Sequence, residues 1–280
     1  MSHISRFIYH MNNYCNLHCE HCSDFSHIPI DPDSSLIERR VKWQTSIEEV
    51  ELFCQRFHGV AMDKYVHLTG GEPTAIPVEL LDAVLNVFHQ WGRRVLLLTN
   101  GYNLFEVNQT LLNTVDRIKL DDHGTNTEHI HDCIEYLKTF YKGTVEHIET
   151  FNHFPLGKTR KLPCNKGGHC GRKTLKTKIE VLIKQGTVYP CCAMASFDLY
   201  ENNTQLETAL RLAGWNLENK DIAETLKNWK KTLPEYAWLM CRDGCWWPYK
   251  RILGAVPITL KRNDVIRKQS KESAVSSYIF

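Results

Sequence analysis

Short strands and amphipathic helices alternate through the first half of the sequence, and this alternation limits the fold more than any other feature. The predicted helices carry apolar residues at the three- and four-residue spacing of one buried face. Strands separated by helices of this length form right-handed βαβ units, so the sequence predicts an α/β protein with a parallel sheet. The predicted strands are residues 6–11, 65–68, 95–98, 118–120 and 145–151, and the predicted helices are residues 46–58, 77–91, 104–115 and 126–141.

The first predicted helix also has a start signal. Thr45 and Glu48 form the T-x-x-E pattern of a capping box, in which two side chains bind backbone N–H groups of the first helical turn. Cys54 in this helix and Cys133 in the last one lie on apolar faces, so we expect both thiols to be core residues.

Three polar segments follow the first three predicted strands. Cys15, Cys19 and Cys22 form a C-x3-C-x2-C run after the first strand, residues 70–73 read Gly-Gly-Glu-Pro after the second, and residues 99–101 read Thr-Asn-Gly after the third. The carboxyl ends of neighbouring parallel strands meet at one edge of a sheet. The three segments are therefore expected to lie close together.

The cysteine run predicts a metal site. Three thiolates on one loop can bind three irons of a cubane 4Fe–4S cluster and leave the fourth iron open, whereas ordinary ferredoxins use four cysteines. Zinc is the alternative, because a structural zinc site needs four ligands and His18 or His21 in the same loop can supply the fourth.

Together the three segments resemble the radical S-adenosylmethionine (radical SAM) enzymes. The resemblance implies a partial (β/α) barrel of five or six parallel strands, in which Cys15, Cys19 and Cys22 hold the cluster. In that family the open iron chelates the amino and carboxylate groups of SAM. One electron from the cluster cleaves SAM to a 5′-deoxyadenosyl radical, which abstracts a hydrogen atom from the substrate.

The resemblance also implies residues that bind SAM. Gly70 and Gly71 lack a Cβ and let backbone approach a ligand closely. The carboxylate of Glu72 is expected to accept hydrogen bonds from the SAM ammonium group. Asn100 is a further candidate contact, although Thr-Asn-Gly turns also occur without a ligand. Family members often place a polar residue near the SAM ribose at a position matching residues 121–123, for which a solvated loop is the alternative.

Six further cysteines follow residue 160, and part of their spacing resembles the auxiliary-cluster extension of radical SAM enzymes, named SPASM in its full form and twitch in its shorter form. Between Cys170 and Cys191, residues 178–183 and 187–189 alternate as a β-hairpin with Gly186 at its turn. The resemblance implies a second 4Fe–4S cluster, and a zinc ribbon is the alternative. The expected ligands are Cys170, Cys191, Cys241 and Cys245, with Cys164 as a substitute for Cys241.

We therefore expect three parts in the chain. Residues 1–160 are predicted to form the partial barrel, residues 161–250 a small auxiliary-cluster domain of a β-hairpin and helices, and residues 251–280 a tail. Four ligands leave two late cysteines over. A thiol of Cys192 or Cys164 can return a hydrogen atom to a substrate radical, and an inert thiol is the alternative.

The predicted function is a radical SAM oxidoreductase or epimerase acting on a small polar metabolite such as a sugar, cyclitol or nucleoside. A maturase of a ribosomally made peptide is the alternative. The expected lack of an N-terminal leader-binding domain counts against the maturase, and the frequency of this extension among peptide maturases counts in its favour. An electron donor of the flavodoxin or ferredoxin type is expected. A zinc-binding interaction protein or a non-catalytic electron carrier represents a different class.

Composition and charge limit the classes of partner that the chain is expected to bind. The formal net charge is +2 and the pI about 8.0, so neither nucleic acid nor an anionic membrane is an expected partner. The sequence has no long apolar run and no recognisable signal peptide. Eleven cysteines in such a chain indicate reduced thiols or metal ligands, which predicts a cytoplasmic location.

Overall fold

One mainly parallel sheet organises the described part of the protein. The structure is a computed structural model that describes residues 3–17, 42–60, 65–149, 178–190, 204–235 and 237. The strands β1 to β7 are His3–His10, Val66–Thr69, Val95–Thr99, Arg117–Asp122, Thr144–Glu149, Lys178–Lys184 and Thr187–Tyr189. The helices α1 to α7 are Ile47–Arg56, Val78–Gln90, Gln109–Leu112, Thr127–Lys138, Thr204–Leu212, Ile222–Lys227 and Trp229–Thr232.

The strands follow one another in an ordered sheet, β5-β4-β3-β2-β1-β6-β7. β1 to β6 run parallel, and β7 pairs antiparallel with β6. Because β1 to β5 are neighbours in chain order, every crossover moves in the same direction, which favours helices on one face of the sheet. The predicted α/β fold is confirmed. In the described residues β5 and β6 do not pair, so the sheet is an open one.

Aromatic side chains join β1 to the first two helices. The rings of Phe7 and Tyr9 both pack edge-on against Phe53 of α1, with centroids 5.2 and 5.4 Å away. Phe88 of α2 lies 5.8 Å from both Tyr9 and Phe53, and Phe57 lies 4.6 Å from Phe7. All five rings are fully buried. This cluster anchors β1, and with it the start of the cysteine run, to the helical layer.

The predicted hairpin around Gly186 is confirmed. Gln185 and Gly186 join β6 to β7 with φ values of 49° and 70°, and two positive φ values are typical of a two-residue type I′ turn. The hairpin also extends the main sheet, because Ile8 of β1 lies opposite Leu182 of β6 in a parallel register. The division into domains at residue 160 stays a prediction.

Helix α1 begins one residue later than the capping box predicts. Ser46 is the N-cap, and its side chain accepts a hydrogen bond from the Glu49 backbone at 3.2 Å. Thr45 has a different role, because its hydroxyl lies 2.8 Å from the buried hydroxyl of Tyr9. The predicted capping box of Thr45 and Glu48 is therefore wrong, although the predicted helix is confirmed.

Helices in the described part are short. The helix predicted near residues 104–115 is limited to α3, because Asn108 accepts a hydrogen bond from the Thr110 backbone and so caps the helix there. The longest described helix, α2, has 13 residues. Among the described residues no helix combines the length and apolarity that crossing a bilayer needs.

Replacing Phe53 by alanine should destabilise the protein. The substitution removes the ring at the centre of the β1 cluster and leaves a cavity, which costs about 3–5 kcal/mol of the free energy of unfolding. Phe105→Ala is the matched control, because that ring is 44% exposed and should cost about 1 kcal/mol. Urea unfolding of both variants measures the difference. Equal losses would contradict the assigned core.

Candidate functional site

The carboxyl ends of β1, β2 and β3 meet, and backbone hydrogen bonds join the loops that follow. The Gly71 amide donates to the Asn12 carbonyl oxygen at 2.9 Å, and the Glu72 amide donates to the Tyr14 carbonyl oxygen at 2.8 Å. These two bonds hold the Gly-Gly-Glu-Pro segment against the chain that leads into Cys15. The predicted proximity of the motifs is therefore observed for their described residues.

The two glycines are needed because two backbones approach each other. A Cβ on Gly71 would lie 2.0 Å from the Tyr14 carbonyl oxygen, which is a severe steric clash. A Cβ on Gly70 would lie 2.5 Å from the Asn12 carbonyl oxygen, and the φ of Gly70 is +131°. The sequence reasoning expected close approach to a ligand. The structure shows close approach to the segment before Cys15.

Glu72 links the β2 loop to the β3 loop through a buried carboxylate that is 1% exposed. Its Oε1 accepts hydrogen bonds from the Thr74 amide, the Thr74 hydroxyl and the Thr99 hydroxyl at 2.9, 2.7 and 2.6 Å. Its Oε2 accepts one from the Asn100 amide at 2.7 Å. Burial raises the pKa of Glu72, and these donors act in the opposite direction. Its predicted contact with SAM stays a prediction.

Asn100 lies against Cys15 and is 5% exposed. Its side-chain Nδ2 donates to the Cys15 Sγ at 3.3 Å and to the Asn16 Oδ1 at 2.9 Å. Its Oδ1 accepts a hydrogen bond from the Tyr102 amide, and its backbone oxygen accepts one from the Asn126 side chain. The third motif therefore reaches the first predicted cluster ligand directly.

Asn12 is a residue of this site that sequence reasoning missed. Its Nδ2 donates to the Glu72 carbonyl oxygen at 2.8 Å, which fixes the orientation of the amide. No described residue donates to its buried Oδ1. The sequence signal that could have identified Asn12 is its place as a polar residue at the end of a strand, three positions before the first cysteine.

Two acidic residues end β4. Asp121 is 17% exposed and lies 3.8 Å from the Nε2 of His123. Burial raises the pKa of Asp121 to about 7; Lys119 opposes the shift, and Glu72 adds to it. Asp122 is buried, and its Oδ2 lies 3.4 Å from the Nε2 of His147. Residues 121–123 are therefore largely sheltered rather than a solvated loop.

Among the predicted metal ligands, Cys15 is the one that lies within the described residues. Cys54 and Cys133 are buried, as predicted, and burial raises the pKa of each thiol to about 12. In the described ranges no three His, Cys, Asp or Glu side chains form a group suited to a metal ion. The remaining predicted ligands and hydrogen donors lie outside those ranges: Cys19, Cys22, Cys164, Cys170, Cys191, Cys192, Cys241 and Cys245.

Comparison with known proteins identifies the family. A family model for the radical SAM superfamily matches residues 9–154, which is more than half of the 280-residue chain. The chain belongs to the radical SAM superfamily, a family of enzymes that use SAM and a 4Fe–4S cluster. The superfamily prediction made from the three motifs is confirmed. No curated protein sequence matches the chain.

Among solved structures, the chain is similar to SuiB of Streptococcus suis. The match to SuiB bound to S-adenosylmethionine has 11% identity and a TM-score of 0.34, and it covers 69% of this chain and 61% of SuiB. The match to SuiB bound to the precursor peptide SuiA has 11% identity and a TM-score of 0.35, with 70% and 61% covered. The chain thus spans about 61% of the length of SuiB.

Gly71→Ala should disrupt the contact between the second motif and the cysteine segment. The added Cβ overlaps the Tyr14 carbonyl oxygen, so the two backbones must separate, at a cost of about 3 kcal/mol. We expect lower stability and impaired iron incorporation. Gly59→Ala is the control, because its Cβ would meet nothing within 4 Å and only its φ of +72° is strained, at about 1 kcal/mol. Thermal unfolding and iron content measure both effects. Normal iron incorporation in Gly71→Ala would contradict the prediction.

Asp121→Asn should change how stability depends on pH. The pKa of Asp121 is raised from 3.8 to about 7, so the folded state binds the proton more tightly than the unfolded state. Stability contributed by the neutral carboxyl is therefore lost as the pH rises from about 4 to 7. The Asp121→Asn variant lacks this loss. Its free energy of unfolding relative to that of the wild type should therefore rise by about 2 kcal/mol between pH 5 and pH 8. Urea unfolding at both pH values tests this, and a constant difference would contradict it.

Proposed function

We propose that this radical SAM enzyme oxidises or epimerises a small polar metabolite such as a sugar, cyclitol or nucleoside. The observation that carries the proposal is the contact network at one sheet edge, where Glu72 and Asn100 meet the segment of Cys15. Cys15, Cys19 and Cys22 would hold the 4Fe–4S cluster. When bound, the cluster and SAM supply reductive cleavage of SAM and abstraction of a hydrogen atom from a C–H bond.

The acceptors at this edge fit the ammonium part of an amino-acid head group such as that of SAM. The Oδ1 of Asn12 is a buried acceptor without a donor among the described residues, an arrangement that costs about 1–3 kcal/mol. An ammonium group supplies N–H donors and no acceptor. The Glu72 carbonyl oxygen is a second acceptor here, because it accepts the hydrogen bond of the Asn12 Nδ2. We propose that Gly70, Gly71, Glu72 and Asn100 complete this pocket.

The face of the sheet turned away from α1 and α2 supports a polar substrate. Phe7 and Tyr9 of β1 pack towards those helices, so Arg6, Ile8 and His10 occupy the opposite face. The parallel register brings further ionisable residues of the neighbouring strands to that face. They are His67 of β2, Lys119 and Asp121 of β4, and Lys184 of β6. A face with these ionisable side chains offers hydrogen-bond donors and acceptors that can orient a polar ligand, which favours a polar over an apolar ligand.

The later cysteines provide the proposed second site. We assign an auxiliary 4Fe–4S cluster to Cys170, Cys191, Cys241 and Cys245, with Cys164 as a substitute for Cys241. Oxidation of a substrate radical requires a one-electron acceptor, and this cluster is the proposed acceptor. Epimerisation instead requires a hydrogen-atom donor, and a thiol of Cys192 or Cys164 is the proposed donor. The confirmed β6–β7 hairpin supports the spacing on which this assignment rests.

The first experiment measures iron, sulfide and the absorption spectrum of the anaerobically reconstituted protein, and then 5′-deoxyadenosine release with dithionite and SAM. Two cubane clusters give about eight irons per chain. About four irons with activity would remove the auxiliary cluster from the proposal. A colourless, zinc-loaded protein that ignores SAM would favour the interaction-protein alternative.

Cys15→Ala should abolish 5′-deoxyadenosine release and reduce the iron content by about four per chain, the content of one cubane cluster. Cys54→Ala is the matched control, because that buried thiol belongs to the α1 core and should leave iron content and turnover near wild type. Equal iron content in the two variants would show that Cys15 is not a ligand.

Substrate class is tested by the same 5′-deoxyadenosine assay with added compounds. A panel of sugars, cyclitols and nucleosides should raise turnover above the level with SAM alone. If only peptides raise turnover, the enzyme is a peptide maturase. An electron donor of the flavodoxin or ferredoxin type, supplied in place of dithionite, tests the predicted redox partner.

A further inference from the structure

Asn100 lies outside the cysteine loop, and its side chain contacts the predicted ligand Cys15. Its Nδ2 lies 3.3 Å from the Cys15 Sγ, and the Leu17 backbone amide lies 3.4 Å from the same sulfur. We propose that Asn100 is a positioning residue that donates an N–H···S hydrogen bond to Cys15 and raises the reduction potential of the cluster. This inference rests on the proposed role of Cys15 as a cluster ligand.

The orientation of the Asn100 amide is determined by its partners. Its Oδ1 accepts a hydrogen bond from the Tyr102 backbone amide at 2.9 Å, and its Nδ2 donates to the Asn16 Oδ1 at 2.9 Å. Exchanging the nitrogen and oxygen would bring two donors together at Tyr102 and two acceptors together at Asn16. The amide therefore presents N–H, and not oxygen, to the Cys15 sulfur.

The amide is also held in place from the backbone side. The Asn100 backbone amide donates to the Glu72 Oε2 at 2.7 Å, and its carbonyl oxygen accepts from the Asn126 Nδ2 at 3.0 Å. Asn100, Glu72 and Asn126 are all buried. A donor fixed in this way and shielded from water acts on the sulfur more strongly than a mobile surface amide.

The direction of the effect follows from charge. A reduced cluster carries one more negative charge than an oxidised one, and part of that charge lies on the sulfur ligands. An N–H donor at the sulfur therefore stabilises the reduced form more and raises the potential. Removing the donor should lower the potential. We expect about a tenfold change in the one-electron equilibrium constant, which corresponds to about 59 mV.

The test is a redox titration, monitored by electron paramagnetic resonance, of the full chain with its clusters reconstituted. The first cluster is identified by the change of its signal when SAM is added. Asn100→Asp keeps an acceptor for the Tyr102 amide but replaces the donor at Cys15 with a carboxylate oxygen. Asn100→Ser keeps the turn with a shorter side chain. Both variants should shift the midpoint potential to more negative values. The shift in the uncharged Asn100→Ser measures the lost hydrogen bond, and the added negative charge makes the shift in Asn100→Asp larger.

Asn108→Asp is the matched control, because Asn108 is an exposed N-cap of α3 and aspartate caps a helix equally well. Its midpoint potential should equal that of the wild type. A purely structural role for Asn100 would lower the amount of cluster and leave the potential of the remaining cluster unchanged, which would overturn the inference. A wild-type protein without any SAM-responsive cluster would instead overturn the proposed function, and this inference with it.

Discussion

Glu72 places a carboxylate inside the protein, where donors from the β2 loop and the end of β3 bind it. Burying an ionised carboxylate is expensive unless hydrogen bonds replace its water, and four donors from Thr74, Thr99 and Asn100 do so here. Thr74 lies two residues away, whereas Thr99 and Asn100 lie 27 and 28 residues along the chain. The carboxylate therefore fixes the distance between two loops that no backbone bond holds together in the described residues.

The aromatic cluster of β1, α1 and α2 supplies the rigid support for that edge. Phe53 contacts both Phe7 and Tyr9, so β1 cannot slide along the helical layer without breaking ring contacts. The hydroxyl of Tyr9 adds polar contacts with the start of α1, because it lies 2.8 Å from the Thr45 hydroxyl and donates a hydrogen bond to the Glu49 carboxylate. Apolar packing thus uses one face of the sheet, which leaves the other face available for polar residues.

The structural features that could be predicted from the sequence are those that depend on local periodicity. The strand and helix alternation, the apolar helix faces with Cys54 and Cys133, and the hairpin at Gly186 all follow from patterns within a few residues, and the structure confirms them. The proximity of the three motifs was also predicted, from the parallel sheet, but individual contacts between distant residues were missed. The pairing of β6 with β1 and the contact of Asn100 with Cys15 join residues far apart in the chain, and no local pattern encodes them. The predicted N-cap of α1 was wrong because the Thr45 hydroxyl contacts the Tyr9 hydroxyl instead of capping the helix.

The hydrogen bonds that Glu72 already accepts restrict where its carboxylate could contact SAM. A carboxylate offers about four lone-pair sites. Oε1 already accepts three hydrogen bonds and Oε2 accepts one, from the Asn100 amide. An ammonium group that binds this side chain must therefore use Oε2, the oxygen that also holds Asn100. An ammonium group bound there would weaken the hydrogen bond from the Asn100 amide to Oε2. Because the Asn100 side chain contacts the Cys15 sulfur, ligand binding at Glu72 would then affect that sulfur through Asn100.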